Sequence, residues 1–476
     1  MAGRSDVSAR GCWDPRRLVC DDRPSRVFVG VVTLLYVAAT AYVSLHHEPW
    51  RDEADGWLFV RDADFATIIT RTRYTGFPAL WFFCVAPLAK LGLPYGSQKV
   101  LHLIVAAAAV AMFLARAPLT RITKLLVIAS YYFTYEYAVI VRNYALTILL
   151  TFIAAALYAR RREHPIAFAF VLFLLFNVNV QGFLIAATFA ALFVADRIRS
   201  WPAIAIMTGG AVLSYVQVRT PPDPARHAAM HVFNRDAFAW VVGNAFLPTL
   251  PESVTFIIGF TVLIALTAAL WHARDALAML WLPIATLSIV YSYIWLGGLR
   301  HAGFFLVAAI VAVWLAGDRV QRPLAAALLL NATLLVADVA ALRYAVLNTR
   351  AAFSGAEEMA GFIRANRLDG LPIAAHNLTQ CEALLPFLPR TRFWYAGLGA
   401  YGTYLTWDAA FERALNVPYP VAELRARQHF AGKRWLLLFH VEMPDPPAHG
   451  FRLLYRIQQP VFEKTDERYW LYAPVR

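Results

Sequence analysis

Long apolar runs are the feature that most limits what this chain can fold into. A helix needs about 20 mostly apolar residues to cross about 30 Å of hydrocarbon. About eleven runs approach or exceed that length, at 26–46, 98–115, 122–140, 143–160, 165–180, 181–196, 201–219, 253–272, 277–296, 300–316 and 322–343. Hydrophobic residues make up 59% of the 476 residues, and the mean hydropathy is +0.51. The sequence therefore predicts a polytopic α-helical membrane protein rather than a soluble one.

The basic residues indicate an orientation in the membrane. The formal net charge is +13, but the Lys and Arg residues fall in short clusters between apolar runs, which favours a positive-inside pattern over nucleic-acid binding. If residues 1–25 form a cytoplasmic tail, one side of the membrane receives every cluster: Arg116, Arg121 and Lys124; Arg160, Arg161 and Arg162; Arg197 and Arg199; Arg274; Arg319 and Arg322. We expect a multi-pass protein of the inner (plasma) membrane with a cytoplasmic N-terminus.

One further apolar run, at 77–93, does not fit this alternation. It is short and is interrupted by Pro78 and Pro87. If it crossed the membrane, the later basic clusters would change sides. We therefore expect a re-entrant or interface-lying helix inside a first external loop at 47–97. The transmembrane module then extends over 26–344.

The composition changes after residue 344 to that of a folded domain. A helical pattern at 355–367, strand patterns at 371–375 and 435–440, and a closing hairpin near 451–473 predict a small α/β domain over 345–476. The parity of the spans places this domain outside the cytoplasm. No catalytic motif is evident in it, and we expect it to shape the access of an acceptor.

The first external loop opens with a concentration of acid, in the stretch HEPWRDEADGW. Asp52, Glu53 and Asp55 begin a helical pattern that continues through apolar residues as far as Ile69. One interpretation is a capped amphipathic helix lying on the membrane. The other is a catalytic site, because carboxylates clustered near anionic headgroups are costly unless a cation or substrate is held there.

Several polar residues fall on the same predicted side of the membrane as these carboxylates. They are Arg71 and Arg73, Glu136, Arg142, Asn143 and Tyr144, Asn177, Asn179 and Gln181, and Arg300 with His301. Each by itself is typical of an interfacial or snorkelling side chain. Together, a carboxylate among Arg and His suits a reaction in which a base activates a hydroxyl and cations hold a phosphate leaving group.

These motifs resemble a known enzyme class when taken in order. The stretches RDEADGW, YTGFPALWFF and YYFTYEYAVIVRNYAL, with the non-crossing helix between the last two, are similar to GT-C glycosyltransferases that use polyprenyl-phosphate sugars. Within that class the likeness is to protein O-mannosyltransferases, lipid A aminoarabinose transferases and lipopolysaccharide-core galacturonosyltransferases. The resemblance covers about residues 26–345, and an external C-terminal domain is typical of the class.

The resemblance implies roles for particular residues. Asp52, with Glu53 beside it, corresponds to the acidic residue that acts as catalytic base or orients the acceptor. Arg142 and Arg300, with Arg71 and Arg73, are expected to hold the donor phosphate. The remaining expected substrate contacts are Asp55, Tyr144, Asn143, His301 and Gln181. Relatives often have Gly-His-Pro where this chain has Gly76-Phe77-Pro78, so no histidine role carries over there.

The expected reaction is an inverting transfer of a hexose or pentose from a polyprenyl-phosphate donor. Its acceptor is an extracytoplasmic glycan, lipid or protein, and its other partners are membrane lipids. Asp52, Glu53, Asp55 and His47 can supply oxygen and nitrogen ligands to a divalent cation, but their spacing is not diagnostic of a metal site. Cys12, Cys20, Cys84 and Cys381 show neither metal-ligand nor disulfide-framework spacing.

Three alternative functions are compatible with parts of the sequence. A lipid-linked glycan flippase or transporter would place charges deep in its spans, whereas here they gather at the ends. A glycan polymerase or ligase would keep decisive basic residues in a late external loop, and the loop at 220–252 contains Arg226, His227 and His231 with Arg219 and Arg235 beside them. A binding module on a membrane anchor would need far fewer spans.

Overall fold

The structure is a computed structural model that describes residues 12–20, 24–221, 233–248, 250–321, 323–415 and 417–475. Parts of the predicted cytoplasmic tail, and Arg226, His227 and His231 of the loop at 220–252, lie outside these residues. Contacts divide the chain into two compact units. The first unit comprises Met1–Ser44, Leu101–Val216 and Ala228–Ala345, and the second comprises Leu45–Val100, Gln217–His227 and Val346–Arg476.

The described part of the chain as far as residue 348 is mainly α-helical. In order the helices are α1 Arg26–His46, α2 Arg51–Asp62, α3 Phe65–Thr75, α4 Leu80–Lys90, α5 Ser97–Arg116, α6 Arg121–Ala129, α7 Tyr144–Tyr158, α8 Pro165–Phe176, α9 Val180–Ala195, α10 Trp201–Val218, α11 Arg235–Phe246, α12 Glu252–Ala269, α13 Arg274–Ile289, α14 Leu299–Ala316 and α15 Pro323–Asn348.

Among the described residues, seven helical segments are long and apolar enough to cross a membrane. They are Arg26–His46, Ser97–Arg116, Trp201–Val218, Glu252–Ala269, Arg274–Ile294, Leu299–Arg319 and Leu324–Asn348. Shorter apolar helices occupy three other predicted spans, at α7, α8 and α9. The protein is therefore a multi-pass membrane protein, and a total of about eleven spans stays a prediction.

The predicted span at 122–140 is not one continuous α-helix. Helix α6 ends at Ala129, and a π-helical turn follows at Tyr132–Glu136. Aromatic rings fill this turn: Tyr132 stacks on Tyr137 with 5.6 Å between ring centroids. Because π-helical turns widen the backbone, they commonly mark functional positions. This turn leads into the segment that contains Arg142.

The helix expected to run from Asp52 to Ile69 is interrupted. Helix α2 ends at Asp62, and α3 begins at Phe65. The Asp64 side chain accepts a hydrogen bond from the Thr67 backbone N–H at 2.6 Å. Asp64 is therefore the N-cap of α3, and a new helix begins there instead of a continuation of α2. Both helices belong to the second unit, together with α4, which lies inside the predicted non-crossing run.

The second unit also contains a six-stranded mixed sheet. After α16, Ala356–Ala365, come β1 Ile373–Ala375, α17 Leu378–Cys381, β2 Phe393–Tyr395, β3 Ala400–Gly402, α18 Ala409–Leu415, α19 Tyr419–His429, β4 Leu436–Phe439, β5 Phe451–Arg456 and β6 Trp470–Pro474. The strand order is β3-β2-β1-β4-β6-β5. Within this sheet β1 pairs in parallel with β2 and β4, and the other neighbouring strands pair antiparallel. The predicted small α/β domain is present in this sheet and its helices.

Alternate residues of the central strands face two separate cores. Ile373 and Ala375 belong to one, and Ala374 belongs to the other. Ala54 and Leu58, on helix α2, are fully buried in the same core as Ile373. The helix that carries the candidate carboxylates is therefore packed into the hydrophobic core of the C-terminal sheet, which fixes its position.

Two of the cysteines depart from the sequence-based expectation. Cys12 and Cys20 are joined by a disulfide, a pairing that spacing alone did not indicate. Cys84 and Cys381 are free thiols. Burial raises the pKa of the Cys381 thiol to about 12, so it stays protonated and unreactive at neutral pH.

Candidate functional site

Glu53 is held at the start of helix α2 by a local network. Its side chain is only 2% exposed. Oε2 accepts a hydrogen bond from the Trp50 backbone N–H at 3.2 Å and another from His47 Nε2 at 2.9 Å. His47 Nδ1 in turn lies 3.1 Å from Asn348 Oδ1. Glu53 thus accepts from the Trp50 backbone N–H, which has no partner within the helix, and it fixes the orientation of the His47 ring. Glu53 is therefore a positioning residue for its neighbours.

Asp52 and Asp55 are partly exposed carboxylates in the first two turns of the same helix. They are three residues apart, so they lie on one side of α2. Both of their charges act on the buried carboxyl group of Glu382. Their exposure and shared side leave these two carboxylates, rather than Glu53, accessible to a substrate.

Arg51 fixes the first turn of α2 to the C-terminal part of the second unit. Its guanidinium forms an ion pair with Asp466, and its backbone N–H donates to Glu467 Oε1 at 3.2 Å. Ser354 Oγ donates to the other oxygen of Glu467 at 2.6 Å. Burial raises the pKa of Glu467 to about 8, although these hydrogen bonds and Arg51 oppose the shift. Together these contacts set the orientation of the helix end that bears Asp52.

Glu382 is a buried acid that the sequence did not bring to attention. It is fully buried, and neither carboxyl oxygen has a hydrogen-bond partner. Burial raises its pKa well above the usual range, and the charges of Asp55 and Asp52 raise it further. The raised pKa favours the uncharged form of Glu382, which adds no negative charge next to the accessible carboxylates.

Lys99 connects the carboxylate helix to the beginning of α5. Its Nζ donates to the His47 backbone carbonyl at 2.6 Å. The neighbouring Glu48 has its pKa raised to about 8 by burial and by the charges of Glu357 and Glu358, with Lys99 opposing. Lys99, His47 and Glu53 thus form a chain of hydrogen bonds that ends at the carboxylate cluster.

Arg71 and Arg73, two of the four predicted phosphate-binding residues, are on helix α3. The Arg71 Nη1 atom lies 3.2 Å from Asp408 Oδ2. Both guanidinium groups lie over the Tyr74 ring, at 4.9 Å and 5.3 Å from its centroid. Arg71 already has a carboxylate partner, so it is less suited to hold a phosphate than an arginine without an acidic neighbour.

In the first unit, Tyr144 and His301 form a direct pair. The Gly298 backbone N–H donates to His301 Nδ1 at 2.7 Å. A neutral imidazole that accepts at Nδ1 carries its proton on Nε2, which therefore donates to the Tyr144 hydroxyl oxygen at 2.7 Å. Arg142 and Arg300 both interact electrostatically with His301. The structure thus brings four sequence-predicted residues together: Arg142, Tyr144, Arg300 and His301.

The other predicted polar residues of the first unit are part of its helix-end network. Asn179 Nδ2 donates to Asn143 Oδ1 at 3.0 Å, and Gln181 Nε2 donates to the Tyr291 hydroxyl at 2.9 Å. The Tyr131 hydroxyl donates to Glu136 Oε2 at 2.8 Å. Asn143, Gln181 and Glu136 are nearly fully buried. These bonds fix the ends of α7 and α9 and the loop that contains Arg142.

The sequence left open whether Asp52, Glu53, Asp55 and His47 hold a divalent cation. In the part of the chain that the structure describes, no group of three or more His, Cys, Asp or Glu side chains is arranged to hold a metal ion. His47 instead directs Nε2 to Glu53 and Nδ1 to Asn348.

Comparisons with known proteins gave matches at the level of structure. No protein-family model matches the sequence, and no curated protein matches it. A crystal structure of ArnT from Cupriavidus metallidurans bound to undecaprenyl phosphate matches with a TM-score of 0.56, at 12% identity, over 94% of this chain and 97% of that chain. The chain has the fold of ArnT. The same protein in the apo state matches with a TM-score of 0.55, at 14% identity, over 94% of this chain and 98% of that chain.

This likeness confirms the predicted GT-C-like architecture, including the C-terminal α/β region. It extends over nearly the whole of both chains, so the ArnT fold includes both units described above. Because the sequence identities are only 12% and 14%, this likeness establishes the fold alone.

The sequence did not indicate which distant residues act on the candidate residues at 47–55. Asn348, Glu382, Asp466 and Glu467 each act on the segment 47–55 from about 300 residues or more along the chain. A signal existed only for Glu382, as an acid within a strongly apolar stretch, CEALLPFL. Local sequence patterns do not indicate which distant segment a residue will contact.

Proposed function

We propose that this protein is a membrane glycosyltransferase that moves a sugar from a polyprenyl-phosphate donor to an acceptor outside the cytoplasm. The observation that carries the proposal is the ArnT fold over 94% of the chain, with undecaprenyl phosphate bound to one of the ArnT structures. The carboxylates of α2 and the Arg142, Arg300 and His301 cluster supply the two kinds of group that such a transfer requires.

Asp52 is the proposed catalytic base. An acceptor hydroxyl oxygen attacks the anomeric carbon of the donor sugar, and Asp52 takes the hydroxyl proton. The bond between the anomeric carbon and the phosphate oxygen breaks, and its electron pair leaves with the polyprenyl phosphate. A single displacement of this kind inverts the anomeric configuration. The partial exposure of Asp52 and its position in the firmly held first turn of α2 support this role.

Arg142 and Arg300 are the proposed ligands of the donor phosphate. Guanidinium groups bind phosphate oxygens through charge-assisted hydrogen bonds and stabilise the negative charge that grows on the leaving group. The Tyr144 and His301 pair holds a neutral, oriented ring between elements that carry these arginines. Arg71 and Arg73 have a secondary role, because Arg71 is already paired with Asp408.

The proposed orientation is the one that the placement of the basic clusters favours. The N-terminus is cytoplasmic, and the segment 345–476 lies outside with the first external loop at 47–97. The packing of Ala54 and Leu58 into the core of the C-terminal sheet supports a common location for the loop and that segment.

The test is sugar transfer by purified protein from radiolabelled polyprenyl-phosphate sugars to a membrane and envelope extract. We expect Asp52→Asn to lower the transfer rate by about 10²- to 10⁴-fold, the usual contribution of a positioned general base. Asp369→Asn is the matched control, because Asp369 is an exposed aspartate of the same unit outside the carboxylate cluster. It should transfer at the wild-type rate.

Equal rates for wild type and Asp52→Asn would remove Asp52 from the mechanism. Binding of a labelled donor without transfer to any acceptor would instead favour the flippase alternative.

A further inference from the structure

The two cysteines near the N-terminus close a small loop at one end of the first unit. The disulfide joins Cys12 to Cys20, and the loop consists of residues 12–20. The two Cα atoms are 5.2 Å apart, which is a usual separation for a disulfide. Cys12 and Leu18 are fully buried, although this segment precedes the first apolar helix. The loop is therefore packed against the rest of the unit.

The backbone of the loop is hydrogen-bonded to the connection between α5 and α6. The Cys20 N–H donates to the Pro118 carbonyl at 3.0 Å, and the Arg121 N–H donates to the Cys12 carbonyl at 2.8 Å. Arg121 is the first residue of α6, so the second bond satisfies a donor that has no partner within the helix. Both cysteines thus take part in the bonds that hold the start of α6.

Side chains connect the same loop to two further helices. Asn331 Nδ2, on α15, donates to the Pro15 carbonyl at 3.0 Å. The Trp13 ring meets Phe28 of α1 edge to face, with 6.0 Å between ring centroids. The Arg121 guanidinium lies 5.6 Å from the centroid of the same Trp13 ring. The loop therefore joins α1, α6 and α15, and the disulfide keeps it closed.

The stability of a disulfide depends on the compartment that it faces. Arg116, Arg121 and Lys124 surround the connection between α5 and α6, and the proposed orientation puts this basic cluster in the cytoplasm. Cytoplasmic thiols are kept reduced, and the disulfides that do form there are usually transient and redox-sensing. The loop itself contains Arg16 and Arg17, and cations near a cysteine favour the thiolate, which is its reactive form.

We propose that Cys12 and Cys20 form a redox-sensitive disulfide that holds the start of α6 in place. A dithiol reductant supplies two electrons and two protons: the S–S bond breaks, both sulfurs become thiols, and the reductant becomes a disulfide. Attack begins at Cys20, because Cys20 is partly exposed whereas Cys12 is fully buried. After reduction the loop leaves the connection between α5 and α6, and the start of α6 opens more often. This inference rests on the proposed orientation and goes beyond the proposed sugar transfer.

The first experiment measures the state of the thiols in intact cells that produce the full-length protein. Cells are quenched in acid, free thiols and disulfide sulfurs are alkylated with two different reagents, and mass spectrometry assigns each cysteine. In unstressed cells we expect Cys12 and Cys20 to be mostly thiols. Brief exposure to the thiol oxidant diamide should raise the disulfide fraction about fivefold or more. Cys381 is the internal control, because its buried thiol should stay reduced throughout.

The second experiment measures amide hydrogen exchange of the purified full-length protein in lipid nanodiscs, with and without dithiothreitol. Reduction should make exchange within 119–123 about fivefold or more faster, because the loop no longer supports the start of α6. Cys20→Ser should exchange at the faster rate in both conditions. Cys84→Ser is the matched control, since Cys84 is a free thiol outside the loop. It should respond to dithiothreitol as the wild type does.

A Cys12–Cys20 disulfide that persists in unstressed cells would overturn the inference and would also contradict the cytoplasmic orientation. Thiols that stay unpaired after diamide would overturn it too, as would equal exchange with and without dithiothreitol. Neither experiment contains donor or acceptor. Sugar transfer without the redox response would therefore refute this inference alone, and the redox response without transfer would leave it standing while the proposed function fails.

Discussion

At the residue scale, buried acids dominate the surroundings of the carboxylate helix. Glu382 is fully buried without a hydrogen-bond partner, and Glu467 is also fully buried. Burial raises the pKa of Glu467 and that of Glu48 to about 8 each. These acids are ionised in the unfolded chain at neutral pH but partly or fully protonated in the folded protein. They therefore make the folded state less stable as the pH rises above about 4.5.

The prediction at this scale concerns Glu382→Gln, which removes the titrating group and keeps its size. The pKa of Glu382 is raised in the folded protein, mainly by burial, so its contribution to stability is fully present below the unfolded pKa and declines as the pH rises. Relative to wild type, the variant should therefore gain in thermal stability between pH 5 and pH 8, by a few degrees in Tm (~2–4 °C per kcal/mol).

Thermal unfolding of both proteins across this pH range checks the prediction. Glu442→Gln serves as the control, because Glu442 is an exposed glutamate of the same unit. A Tm difference between Glu382→Gln and wild type that does not change with pH would show that Glu382 is already ionised in the folded protein.

At the element scale, several contacts hold the first two turns of helix α2 in place. Glu53 and His47 fix its start, Arg51 pairs with Asp466, and Ala54 and Leu58 are buried in the sheet core. A catalytic carboxylate needs such support, because small errors of position lower the rate of proton transfer.

The prediction for this element is that Arg51→Met loosens the first turn of α2. The loss of the Asp466 and Glu467 contacts should cost about 1–2 kcal/mol, reduced by the partial exposure of Asp466. Amide hydrogen exchange within 51–55 should then become about 5–30 times faster. Arg452→Met, on strand β5, should leave this exchange unchanged, and so would Arg51→Met if the ion pair contributed nothing.

Local elements followed from the sequence where periodicity and end signals agreed. Helix α1 begins and ends at the predicted residues 26 and 46, α16 lies inside the predicted 355–367, and β4 lies inside the predicted 435–440. The short strands β2 and β3 were missed, because three residues show no readable alternation. The break between α2 and α3 was missed because the cap of Asp64 falls between two segments with the same apolar pattern.

At the scale of the whole molecule, a run of apolar helices and a small mixed sheet combine in one chain with the fold of ArnT. Hydropathy was sufficient to predict the membrane helices, because it reflects the bilayer directly, and local strand and helix patterns predicted the C-terminal α/β region. The same reasoning identified Arg142, Tyr144, Arg300 and His301, which the structure brings together. It could not identify Asn348, Glu382 or Asp466, since their roles arise only when distant segments meet.

The central claim is that sugar leaves a polyprenyl phosphate and joins an acceptor in one coupled event. The most direct measurement uses purified wild-type protein with a doubly labelled donor, one label in the sugar and one in the lipid, and an envelope extract as acceptor. We predict one polyprenyl phosphate released for each sugar transferred, both requiring the acceptor. Sugar that stays attached to its lipid, at every donor and acceptor concentration, would contradict the account.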